Sequence, residues 1–365
     1  MFPLSALVFL VAGIATVTKA SSSSCIGTIS SLNDVSSAIK CTTVNINAFT
    51  VPAGKTFELQ LLAGTTVNVL GEIQFGNKSW AGPLFEVKGS NITFNGNNQK
   101  WDGGGPFYWD GKGTNGGTTK PRPMMHILMS GTLNNVQVVN TPAHAFSVAN
   151  SGPLTISGVT VDDSQGNQPN SKSSGLAAGH NTDGFDVSGS NLLIENSTVI
   201  NQDDCLAIGR GTNITFSNNY CKGGHGISVG SISSNVVVSN IDISGNNVVN
   251  SAYSFRIKTD KSATNSAVKD VTYNANTATN CTQYGVLITQ SYPTDLGTPG
   301  NGVTISNINF NPGTTSLTGT NSAYMVAVNC GTGSCTGTWD WSGLETIGGK
   351  AGSITNNKVI TGFTQ

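Results

Sequence analysis

Short segments with apolar outer positions recur through the chain, separated by stretches rich in Gly, Asn and Ser. They are Phe185-Asp186-Val187, Leu206-Ala207-Ile208, Ile227-Ser228-Val229, Phe255-Arg256-Ile257, Val286-Leu287-Ile288 and Val326-Ala327-Val328. The steps are 21 residues from Val187 to Ile208, 21 again to Val229, 28 to Ile257 and 31 to Ile288. A second series interleaves with the first: Leu154-Thr155-Ile156, Leu192-Leu193-Ile194, Asn213-Ile214-Thr215-Phe216, Val236-Val237-Val238 and Val303-Thr304-Ile305. Such segments are too short for helices and fit strands. A 21-residue step leaves no room for a full helical crossover each time, so one step reads as one coil carrying two or three short strands. Stacked coils bury their inward side chains in a continuous core, about 4.8 Å from coil to coil. Longer steps become turns that project from one side. A β-sandwich is the competing arrangement, and the repeated register argues against it. The expected fold is an all-β solenoid forming a single domain over residues 21–365.

Composition supports this reading. Charged residues make up 10% of the chain, against roughly 25% in ordinary globular proteins. The 45 glycines, together with abundant Asn, Ser and Thr, disfavour helix and suit turns. The net charge of −1 provides no global field for a polyanion, and no basic stripe marks a nucleic-acid partner. An acidic ligand would need locally placed cations. Residues 1–20 read as a secretory signal: an apolar run from Leu4 to Val17 precedes Thr18-Lys19-Ala20, and no later run is long enough to cross a bilayer. In an exported chain the seven cysteines point to disulfides. Cys25/Cys41, Cys205/Cys221 and Cys330/Cys335 are close in sequence, Cys281 is left over, and no paired C-x-x-C spacing suggests zinc. Asn77, Asn91, Asn196, Asn213 and Asn280 each begin an Asn-X-Ser/Thr glycan acceptor triplet.

The register has a chemical consequence. Asp183, Asp204 and His225 each stand two residues before an equivalent apolar position, which makes them a ladder with one rung per coil. Asp203 adds a second carboxylate beside Asp204. Arg256 and Lys258 flank inward Ile257 and should therefore point outward. Glycoside hydrolysis needs a carboxylic acid to protonate the leaving oxygen and a carboxylate to attack or to activate water. Crowded carboxylates raise at least one pKa, which keeps one group protonated as the acid. His225 could tune that proton, and Arg256 and Lys258 could hold a substrate carboxylate.

The wording of these segments resembles the polygalacturonase family of glycoside hydrolases. The blocks are Asn181-Thr182-Asp183, Gln202-Asp203-Asp204-Cys205, Gly224-His225-Gly226 and Arg256-Ile257-Lys258, in the family's order and spacing. Tyr108-Trp109-Asp110-Gly111-Lys112-Gly113 and Lys120-Pro121-Arg122-Pro123 look like the fungal endo-acting members, and Gln290-Ser291-Tyr292 resembles the block that carries the substrate tyrosine. The resemblance implies a right-handed parallel β-helix that hydrolyses α-1,4-galacturonosyl bonds of pectin with inversion. It implies Asp203 as general acid, Asp183 and Asp204 as the pair that activates water, and His225 as the histidine linked to the acid's proton. Asn181, Arg256, Lys258 and Tyr292 would bind substrate. Cys25/Cys41, Cys205/Cys221 and Cys330/Cys335 would be disulfides. No cofactor or metal is implied, and the protein is expected to be a secreted monomer with no membrane or nucleic-acid partner. The chain departs from the family in lacking the usual C-terminal disulfide, in the extra Cys281, and in Lys222 before the glycine pair.

Two other readings compete. One is a calcium-dependent pectate lyase on a similar solenoid. The other is a non-catalytic pectin-binding β-helix, whose mark would be the loss of a catalytic carboxylate.

Overall fold

The computed structural model describes residues 25–355 and 357–365. The segment expected to be a secretory signal lies outside them. The described residues form a right-handed parallel β-helix: a 30-stranded sheet in which every pairing is parallel, with a separate two-stranded sheet near the C-terminus. No helix among the described residues is long and apolar enough to cross a membrane.

The first series of apolar segments forms one continuous ladder. Phe185 pairs with Leu206, Leu206 with Ile227, Ile227 with Phe255, Phe255 with Val286 and Val286 with Val326. These side chains point inward and are buried. Alternate residues point away from the core, as strand geometry requires. This outer face carries the chemistry.

The second series does not hold as a single ladder. Leu192 pairs with Ile214, and Ile214 pairs with Ile241, three residues beyond Val238. Val238 instead pairs with Gly211 and Val268, and Val268 with Ile305. The series therefore merged two rungs separated by a corner. At that corner stand Asn191, Asn213, Asn240, Asp270 and Asn307, all with φ between 54° and 58°. Left-handed backbone is costly for most L-residues, and Asn and Asp tolerate it best. The corner explains much of the Asn-rich composition. Its side chains also link successive coils: Asn213 Nδ2 donates to Asn191 Oδ1 (2.8 Å), and Asn307 Nδ2 to Asp270 Oδ1 (2.8 Å).

Both ends of the apolar stack are closed. At the start, the short helix Val35–Ala38 packs near the Cys25–Cys41 disulfide. At the far end Trp341 packs against Phe310 and is flanked by Trp339 and Phe363, and the tail strand Ile360–Thr361 pairs with Trp339–Asp340. The other two disulfides join Cys205 to Cys221 and Cys330 to Cys335, while Cys281 is a buried free thiol. Burial pushes that thiol's pKa up to about 11, so it stays neutral. All five asparagines of the glycan acceptor triplets are exposed.

Candidate active site

The outer face of the central coils forms a cleft of about 550 Å³, lined among others by Asn181, Asp183, Asp203, Asp204, His225, Arg256, Lys258 and Tyr292. The structure thus brings together every non-cysteine site residue expected from the sequence. The ladder arises from the backbone register. Gly184 N donates to Asp204 O (2.8 Å), and Cys205 N donates to Gly226 O (2.8 Å), so the turns before successive strands stack.

Asp204 lies at the floor, 1% exposed. Its Oδ1 is 2.7 Å from Arg256 Nη2 and its Oδ2 is 2.7 Å from Lys258 Nζ. Ser228 Oγ also donates to Oδ1 (2.8 Å) and in turn accepts from Arg256 Nε (3.1 Å). The outward placement expected for the two cations holds, and burial adds to it. Arg256 and Lys258 point away from the core, and at 4% and 6% exposure they are buried ion-pair partners of Asp204. Each also meets an aromatic ring: Arg256 Cζ lies 4.2 Å from the Tyr253 centroid and Lys258 Nζ 5.1 Å from that of Tyr292.

The charge on the other two aspartates departs from expectation. Asp203 was expected to keep the proton. Burial works in that direction, but the hydrogen bond and charge of His225, the charge of Lys258 and the Asp204 N–H outweigh it and hold the Asp203 carboxyl low. Its oxygens are well supplied with donors: Asp204 N at 2.8 Å and His225 Nδ1 at 2.9 Å on Oδ1, and Asn181 Nδ2 at 3.0 Å on Oδ2. Asp183 is the carboxyl pushed up, first by burial and then by the charges of Asp203, Asp186 and Asp204. Its Oδ1 is buried and accepts no hydrogen bond. Hydrogen bonds favour the charged form and desolvation disfavours it, so the surroundings favour the ionised form of Asp203 and the neutral form of Asp183. Crowding does raise one carboxyl, as the sequence suggested, and the local donors decide which.

Asp203, Asp204 and His225 lie close enough together to suggest a cation site. The donor set fits a cation poorly. Both Asp204 oxygens already face Arg256 and Lys258, whose positive charges stand within 2.7 Å of them.

Sequence reasoning missed several groups that face the cleft. His144 occupies the rung before Asp183, as the bond from Ala145 N to Asp183 O (2.8 Å) shows. Its Nδ1 is 2.7 Å from Asp186 Oδ2, and its Nε2 is 3.9 Å from Asp183 Oδ1. On the other side Tyr253 donates its hydroxyl to Asp295 Oδ2 (2.8 Å). The signal was present: Asp186 and Ser228 are the central residues of segments already aligned, and His144 stands two residues before Phe146 on the same ladder.

The model of glycosyl hydrolases family 28 matches residues 41–362. Endopolygalacturonase A of Aspergillus flavus is 44% identical over 332 residues, 88% of this chain and 87% of that protein. Endopolygalacturonase I of Aspergillus aculeatus is 39% identical over 342 residues, 90% and 87% of the two chains. A solved structure of endopolygalacturonase I from Stereum purpureum, complexed with two galacturonate, superposes with a TM-score of 0.87 at 48% identity and covers 92% of this chain and 98% of that one.

Proposed function

The chain belongs to family 28 of the glycosyl hydrolases, and on that basis we propose that it is an endopolygalacturonase, cutting α-1,4-galacturonosyl bonds within polygalacturonate and pectin chains by addition of water. One observation carries the mechanism: Asp203, rich in hydrogen-bond donors, and the ion-paired Asp204 share one coil, and Asp183, whose buried Oδ1 accepts no hydrogen bond, faces the same cleft from the preceding coil. Asp203 protonates the leaving glycosidic oxygen. Asp183 and Asp204 orient and deprotonate the attacking water from the opposite face, which inverts the anomeric carbon.

Proton placement follows from coupling. The carboxyls titrate as one system, so the transferable proton belongs to the cluster. In the free site the surroundings favour it on Asp183 over Asp203. A glycosidic oxygen set against Asp203 rewards the protonated form of that group, and a water donating to Asp183 rewards its ionised form. Substrate binding therefore favours the microstate needed for reaction. His225, held at Asp203 Oδ1, sets how readily the acid yields its proton. Arg256 and Lys258 are placed to meet a substrate carboxylate while fixing Asp204, and Tyr292 packs beside Lys258.

The mature chain, residues 21–365, acts as a secreted monomer on this reading. Incubation of the purified protein with de-esterified polygalacturonate in chelator tests it. Mixed oligomers, an early viscosity drop and no unsaturated ultraviolet-absorbing product are expected. A calcium requirement with unsaturated ends would indicate a lyase, and binding without cleavage a non-catalytic protein.

A further inference from the structure

We propose that Thr114, on the loop of residues 109–124, is a positioning residue for the acid Asp203, acting through the side-chain amide of Asn181. The inference rests on the role given to Asp203 above.

An asparagine amide has a donor end and an acceptor end of nearly equal size, and its orientation is set by what each end meets. Asn181 Oδ1 meets donors only. Thr114 N donates to it at 3.0 Å, Thr114 Oγ1 at 3.1 Å, and Asn115 Nδ2 approaches at 3.4 Å. The opposite end, Nδ2, is thereby turned onto Asp203 Oδ2 at 3.0 Å. A flipped amide would set NH2 against the Thr114 N–H and an oxygen against a carboxylate oxygen, while the Thr114 hydroxyl, able to donate or accept, strengthens the observed orientation with a second hydrogen bond. Thr114 thus selects the orientation in which Asn181 supports Asp203.

The loop is built to hold Thr114 there. Asp110 and Lys120 form a buried ion pair at 2.8 Å, and Asp110 also accepts from Lys112 N and Thr118 N, both at 3.0 Å. Asp110 therefore ties the two ends of the segment together. At the seat, Gly113 has φ +55, and a Cβ there would come within 2.5 Å of both Asn181 Oδ1 and His180 O. Only glycine lets the loop approach this closely. Asn115, next along, reaches His180 Nε2 at 3.2 Å and lines the cleft.

The charged groups facing Asp203 are His225 from the following coil, Asp204 beside it, Asp183 from the preceding coil, and Lys258 and Arg256 from the coil beyond. Their arrangement is independent of Thr114, so a Thr114 variant isolates the Asn181 contribution. A donor to a carboxylate favours its ionised form, and weakening that donor raises the acid's apparent pKa.

The test compares Thr114→Val, Thr114→Ser and Gly113→Ala with the unaltered protein on polygalacturonate across pH. Thr114→Val removes the hydroxyl and keeps the shape. Its kcat should fall about three- to tenfold, the weight of one net hydrogen bond. KM should stay near the original, and the alkaline limb of the pH profile should move up by about 0.5 unit. Thr114→Ser should restore both readouts, and Gly113→Ala, which displaces the whole seat, should exceed Thr114→Val. The inference is overturned if Thr114→Val keeps the original kcat and alkaline limb, if it raises KM alone, or if it lowers thermal stability without moving the limb. Asp203→Asn separates the two claims: retained turnover in that variant would remove the acid assignment itself, whatever Thr114 does.

Discussion

Two charge clusters share the outer face of this solenoid and behave differently. In the N-terminal coils Lys88 contacts Glu58 (3.2 Å) and Glu86, and His126 Nδ1 meets Glu86 Oε2 (2.7 Å). Further along, Asp204 pairs with Arg256 and Lys258. Glu58, Glu86, His126, Asp186, Ser228 and Arg256 all lie in one column of paired residues. What separates the clusters is water. The Lys88 and Glu58 side chains are 40% and 50% exposed, against 5% for Arg256 and 1% for Asp204. Exposed pairs are screened and contribute little. Buried pairs are costly to assemble and more costly to break, because the survivor is left as an uncompensated charge. The same strand geometry therefore yields a solvated surface in one place and a rigid charged floor in the other.

The largest effect is expected at Asp203. Asp203→Asn keeps the size of the side chain and removes the transferable proton, so turnover should drop by about 10²–10⁴ while the melting temperature changes little. Steady-state kinetics alongside thermal melting would check this, and near-normal turnover would end the acid assignment.

Next comes Arg256→Ala, which the comparison turns into a stability question as well. Solvated-strand reasoning would leave folding untouched. Burial against Asp204 instead predicts a loss of about 3–5 kcal/mol in denaturant unfolding, together with severely reduced activity. Normal stability would mean that water enters the floor of the site.

A third effect concerns pH. Asp163 is fully buried and pushed up to about 8 by burial, although Thr141 donates to it from N (2.6 Å) and Oγ1 (2.7 Å). Asp183 is also raised. Both keep protons in the folded chain that the unfolded chain releases above about pH 4. The folded state then binds more protons, and stability falls as pH rises, for Asp163 between about pH 4 and 8 and by at most about 1.4 kcal/mol per unit. Asp203, shifted down, acts in the opposite sense: its contribution is present above the ordinary carboxylate range and fades only in stronger acid. Melting temperature should therefore be highest in mild acid and decline toward pH 8, and Asp163→Asn should flatten the decline. A melting temperature that climbs over that range would contradict the placement of these protons.

The smallest effect should be at the exposed cluster. Lys88→Met should alter stability by no more than about 1 kcal/mol and leave kcat unchanged. A large loss of activity would make the N-terminal cluster part of the substrate path.

Much of this was legible in the sequence because a parallel solenoid repeats its register. The 21-residue step from Val187 to Ile208 to Val229 recurs as strand pairing, and it stacks Asp183, Asp204 and His225. Asn corners were harder to see. Asn240 lies inside what looks like one continuous strand segment, so Val236-Val237-Val238 stands five residues before Ile241-Asp242-Ile243, the true continuation of the ladder. Charge state was not legible, since it depends on donors brought from distant positions: Asn181, 22 residues before Asp203, and Lys258, 54 after Asp204. Burial of Arg256 was hidden for the same reason. Strand alternation tells which side a residue faces, not what the next coil lays over it.

The central claim is hydrolysis by direct displacement, with Asp203 on one side of the scissile bond and a water held by Asp183 and Asp204 on the other. A proton NMR time course of oligogalacturonate cleavage reads it directly, through the configuration of the new reducing end before mutarotation. The account predicts that the β anomer appears first and the α anomer grows in later. A first-formed α anomer would mean a covalent intermediate and contradict the mechanism.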